Sequence, residues 1–156
     1  MCFANPDKYF DSIQRGEDKV FFKMYQKRLN TRDERPGIRF GFTSLLYAIL
    51  YDKQQYVPYL LEELCMKTLE DTPIYVNDKR INVAANSTAV HLAILLARVE
   101  IFKTIQSYIQ KKNDPKLNKL LWQPNKEFLT DIHFFVLSES KEMQSVLQVK
   151  QSYIEN

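Results

Sequence analysis

Glycine is nearly missing, with three residues in a chain of 156. So few glycines cannot build a phosphate-cradling loop, and the turns must be made by Asn, Asp and Pro instead. Cysteine is as scarce. Cys2 and Cys65 make neither a disulfide framework nor a metal cage, so free thiols in a reducing compartment are expected. No long apolar run occurs either. The longest uncharged one, Ala89 to Ala97 with His91 inside it, is about half a membrane span. The opening residues carry Asp7, Lys8, Asp11 and Arg15 instead of a secretory apolar core. The net charge of +3 is too mild to argue by itself for nucleic acid or an anionic membrane. These absences lead us to expect an intracellular protein, cytoplasmic or nuclear, without a membrane segment.

Aromatic residues are plentiful, with ten Phe and nine Tyr, and 45% of residues are apolar. The length suits one domain with its own core, spanning 1–156. A repeat emerges when "TSLLYAILYDKQQYVPYLL" from Thr43 is set under "TAVHLAILLARVEIFKTIQ" from Thr88. Ala48 falls on Ala93, Ile49-Leu50 on Ile94-Leu95, and Tyr56-Val57 on Ile101-Phe102. A third copy, "TDIHFFVLSESKEMQSVLQ", starts at Thr130, and a weaker one, "DKYFDSIQRGEDKVFFKMY", starts at Asp7. Each copy reads as two short helices. The first is capped by a Thr or Asp oxygen and ends at a polar cluster such as "DKQQ", "RVE" or "SESKE". The second has apolar spacing near i, i+3, i+4, and Pro58 is expected within its first turn, where a missing N–H costs little.

With these residues in place the chain resembles the ankyrin repeat, whose marker is Thr-Pro-Leu-His-x-Ala. "TAVHLA" keeps Thr88, His91 and Ala93 in register, "TSLLYA" keeps Thr43 and Ala48, and "TDIHFF" keeps Thr130 and His133. The resemblance implies an all-α solenoid of four stacked helix-turn-helix pairs starting near 7, 43, 88 and 130. Residues 1–6 and about 149–156 would cap its ends. The spacings of 36, 45 and 42 exceed the family's period of about 33, and such lengthening is cheap, since closure entropy grows only logarithmically. The extra length predicts a second helix continuing to about Lys67, then "IYVNDKRINV" as a protruding β-finger turning at Asn77-Asp78, with few core contacts.

The resemblance also implies that His91 and His133 bridge backbone groups within and between repeats. They are not expected to ligate a metal, and no cofactor is expected. The carboxylate pairs Asp33-Glu34, Glu62-Glu63 and Glu70-Asp71 read as solvated charges, so no catalytic role follows. Most of the residues that would face the family's groove are apolar here, namely Phe42, Leu50, Tyr51, Leu95, Leu96, Leu129 and Leu137, with Ser87 and Ser138 at the remaining places. Read as a stripe, they predict a partner-binding face for a protein helix or extended segment, prone to self-association, with Arg15, Lys53 and Arg98 at its rim. The expected function is therefore non-catalytic protein–protein interaction, as adaptor, inhibitor or scaffold subunit. A second reading, RNA or DNA binding, would use "KKNDPKLNK" from Lys111 to Lys119 with Trp122 and the finger at Lys79-Arg80.

Overall fold

The computed structural model describes residues 6–76 and 78–120. Trp122, the copy from Thr130 with His133, and the stripe residues Leu129 and Leu137 lie outside the described residues.

Three capped helices start where the sequence places them. Helix α1 (Lys8–Arg15) is capped by Asp7, whose Oδ1 accepts from the Tyr9 and Phe10 amides. Helix α3 (Ser44–Leu50) is capped by Thr43, which accepts from Leu46 N–H. Helix α4 (Ala89–Leu95) is capped by Thr88. Each ends in a turn of one design. Gly16, Asp52 and Ala97, each nine residues after its cap, adopt φ of 72°, 55° and 56°. The following amides of Glu17, Lys53 and Arg98 donate back to the carbonyls of Ser12, Ala48 and Ala93. A left-handed residue reverses the chain in the way a helix C-cap does, although only the first copy supplies glycine for it.

The second halves differ from copy to copy. Helix α2 (Asp18–Arg28) follows α1, and α5 (Val99–Lys112) follows α4. After α3 no α-helix runs on to Lys67. The chain forms two 3-10 segments instead, Gln54–Tyr59 and Leu61–Cys65. Pro58 lies inside the first of these, not in an opening α-turn. Its missing N–H and its ring block an i→i−4 ladder there. The tighter pattern takes over, with Leu60 N–H donating to Val57 and Glu63 N–H to Leu60.

The expected all-α solenoid of stacked helix-turn-helix pairs is overturned: the fold is mixed, with an antiparallel two-stranded sheet, β1 (Thr72–Val76) with β2 (Lys79–Val83), and with these 3-10 segments where a second helix is expected. The register pairs Val76 with Lys79 and Thr72 with Val83, closing a two-residue turn in which Asp78 has φ 65°. The finger is also less independent than its sequence implies. Ile74 and Val83 belong to the core, and Thr72 Oγ1 donates to the Ile38 carbonyl. A short helix, α6 (Pro115–Lys119), follows α5 and is capped by Asp114.

Helices α1, α3 and α4 pack in succession as one layer, while α2, the 3-10 segments and α5 form the other. The core between them is rich in rings, including Tyr9, Phe10, Phe21, Tyr56 and Phe102. Phe21 and Tyr56 stack with centroids 4.0 Å apart.

Candidate functional site

The connection from α2 to α3 is fixed by charge. Asp33, itself buried, accepts from the Arg35 guanidinium and from the Tyr47 hydroxyl. Arg35 reaches on to Asp11 of α1 at 2.9 Å. Burial of Asp33 opposes ionisation, but these donors outweigh it and hold the carboxyl below the usual aspartate range. Arg32 Nη1 donates to the Gly41 and Lys67 carbonyls, tying this connection to the next one. Arg39 Nη1 donates to the Pro73 carbonyl. The loop and the hairpin therefore stand side by side as one finger surface.

Between this loop and the first layer lies a cavity of about 270 Å³, lined by Gln14 of α1, Tyr47 of α3, Tyr51 just after it, and Arg35 to Arg39. On the finger segments Ile38, Leu69 and Tyr75 are 62%, 50% and 71% exposed, and Ile38 also lines the cavity. Gly41 is held at φ 80°, and a Cβ there would meet Leu69 Cδ1 at 2.9 Å. The loop thus lies directly against Leu69.

The predicted stripe is divided by the structure. Phe42 and Leu95 are core residues and leave the candidate surface. Phe42 is covered by the Tyr47 ring at 5.6 Å and by the Arg39 guanidinium. Leu95 belongs to a helix whose every residue from Ala89 to Leu95 is buried, because α4 lies among α3, α5 and the Leu61–Cys65 segment. Leu50, Tyr51 and Leu96 are half-buried against the core, and of these Tyr51 lines the cavity. Arg98 is no rim charge, since its guanidinium donates to the Ile49 and Leu50 carbonyls.

His91 is fully buried, and its Nδ1 accepts from Thr88 N–H while its own amide donates to Thr88 Oγ1, a reciprocal cap. Among the described residues no three His, Cys, Asp or Glu side chains gather as a metal site. Nor is any helix there long and apolar enough to cross a membrane. Two carboxylates read as solvated are buried, Asp33 and Glu63. Glu63 accepts from Ser44 Oγ–H, Leu45 N–H and Asn30 N–H at 2.7–2.9 Å. This Ser–Glu contact has the form of a nucleophile beside a base, but both residues are fully buried and no substrate can reach them. The signal for Glu63 was in its spacing, three residues after buried Leu60 and one before buried Leu64. Sequence reasoning also missed Ile38, Leu69 and Tyr75. The lysines at 111, 112, 116 and 119 are exposed on α5 and α6, with Lys112 Nζ over the Tyr108 ring.

No family model matches the chain, and no curated protein does.

Proposed function

We propose that this chain is a non-catalytic binding module that takes a segment of a partner protein on its finger surface. The observation that carries this reading is the placement of Ile38, Leu69 and Tyr75, three strongly exposed apolar side chains on neighbouring finger segments. Beside them opens the cavity with Tyr51. Exposed apolar side chains that cluster on one side mark contact surfaces more often than scattered ones do. The support beneath is stiff, because Arg35, Asp33 and Tyr47 fix the loop to α1 and α3. A pre-ordered surface loses less entropy on binding. The reading keeps the adaptor, inhibitor or scaffold role implied by the ankyrin resemblance and moves its anchor residues from the stripe to the fingers.

The test is a double substitution, Ile38→Ser with Tyr75→Ser, in a chain shown by circular dichroism and urea unfolding to keep its fold. Partners captured by the native chain and identified by mass spectrometry should be lost or reduced about tenfold, the loss of one good anchor. Recovery of the same partners at native yield would overturn the reading.

A further inference from the structure

On the opposite layer, helix α2 shows a second surface. Among its residues only Phe21 is fully buried, and Phe22 beside it is 42% exposed. Phe22 meets Tyr59 of the 3-10 segment edge-to-face, with centroids 5.0 Å apart at 82°. Tyr25 closes the triangle, 5.5 Å from Tyr59 and 6.1 Å from Phe22. Phe22 and Tyr25 rest on the stacked pair Phe21 and Tyr56, and Tyr59 packs against those two outer rings. Lys19, Lys23 and Lys27 are exposed at intervals of four residues, about 6 Å apart, in a row that starts about 60° around α2 from Phe22 and turns away from the rings toward Lys27. None of the three lysines forms an ion pair among the described residues. Of the acids nearby in sequence, Asp18 accepts from the Tyr56 hydroxyl and Glu17 pairs with Arg15.

We infer that the ring cluster of Phe22, Tyr25 and Tyr59, with Lys19 and Lys23 on its flank, docks an acidic amphipathic helix of a partner protein. The rings offer a rigid apolar anchor of the residue types that dominate interface energetics. The lysines match carboxylates spaced one turn apart on a facing helix. A single-stranded nucleic acid fits less well, because base stacking needs open ring faces. Here the three rings meet at steep angles, edge to face, and form no row of parallel platforms, although Phe22 and Tyr59 are 42% and 47% exposed. A membrane surface fits less well too, since it calls for a broad apolar helix face, and on α2 the exposed apolar part narrows to this cluster. The surface is separate from the fingers, so the chain would hold two partners, or two parts of one, on opposite layers.

The probe is a synthetic helix of about five turns, with Glu at every fourth position and Leu and Phe on the adjoining face. Its fluorescence anisotropy is followed against the full chain. A scrambled peptide of the same composition, phosphatidylserine-containing vesicles and poly(U) serve as competitors. Binding of the ordered peptide should weaken about fivefold between about 0.05 and 0.3 M salt. It should weaken about tenfold in Phe22→Ala, and as much in Lys19→Glu with Lys23→Glu. The finger variant Ile38→Ser with Tyr75→Ser should bind the peptide as the native chain does, so failure here and failure of the finger reading are told apart. The inference is overturned if the ordered peptide does not bind, if the scrambled peptide binds equally, or if both α2 variants retain native affinity. It is equally overturned if vesicles or poly(U) displace the peptide and lose their own binding in the same variants.

Discussion

Glu63 is the third residue of its 3-10 segment, yet its carboxylate serves other elements, accepting from the Leu45 amide and Ser44 hydroxyl at the start of α3 and from Asn30 N–H. Removing it strands three donors, so Glu63→Ala should cost roughly 2–4 kcal/mol in urea unfolding. Burial pushes its pKa above the ordinary glutamate value. A raised folded-state pKa means that the folded chain binds this proton more tightly. Glu63 therefore adds stability as pH falls through that raised value toward the unfolded one, and withdraws it as pH rises. Asp7 and Asp33 act in the opposite sense. Burial is outweighed by Arg28 at the first and by Arg35 and Tyr47 at the second, and both sit low. Their stabilisation persists above the ordinary aspartate value and disappears only as pH drops through their depressed ones. Above the ordinary carboxylate range, then, Glu63 is the one of these three whose protonation changes stability. As pH falls from neutral toward the ordinary glutamate value the native chain should gain stability relative to Glu63→Gln, as read from urea midpoints along that descent. Equal shifts in the two proteins would refute this origin.

The hairpin is partly surface and partly core, and its strands show how. Along β1 the side chains alternate, with Ile74 in the core and Tyr75 mostly exposed. Ile74→Ala should cost about 2–4 kcal/mol, and Tyr75→Ser less than about 0.5. Two denaturation curves compare them, and equal costs would mean that the strand is not fixed on the core. The turn at 77 and 78 was legible in the sequence because an Asn-Asp pair between β-rich runs is a local signal. The caps at Asp7, Thr43 and Thr88 were legible for the same reason, since each oxygen meets amides within three residues. The 3-10 path from Gln54 to Cys65 was not. Its apolar spacing suits a helix, and the outcome turned on how far Pro58 lay from the segment's start. Burial of Phe42 and Leu95 escaped as well, because it depends on which elements surround them.

Across the whole molecule, successive units are joined by backbone carbonyls as well as by side-chain packing. Arg98, the tenth residue after its cap, reaches back to the Ile49 and Leu50 carbonyls at the end of α3. Carbonyls of a last turn run out of i+4 partners, Ile49 accepting only a turn bond within the backbone, from Asp52 N–H, and a guanidinium suits them in charge and geometry. Lys53 holds the matching place one unit earlier, and its Nζ lies 3.3 Å from where a Cβ on Gly16 would be. Arg98→Met keeps the packing of the stem and removes the donors. It should lower stability by about 1–2 kcal/mol with an unchanged urea slope. An unchanged midpoint would mean that the units are held by packing alone. This coupling could not be read from the sequence, where an Arg in a polar turn looks like an exposed charge. The hairpin, finally, decides how the molecule treats its own copies. In its register Pro73 and Tyr75 of β1 point their backbone groups outward. Pro73 has no N–H to offer, and Arg39 already occupies its carbonyl. The outward backbone groups of β2 belong to the exposed Arg80 and Asn82, the partners of Tyr75 and Pro73, with the charge of Arg80 on that edge. One edge is blocked and the other is charged, so a two-stranded sheet that could template further strands is kept from stacking into aggregates.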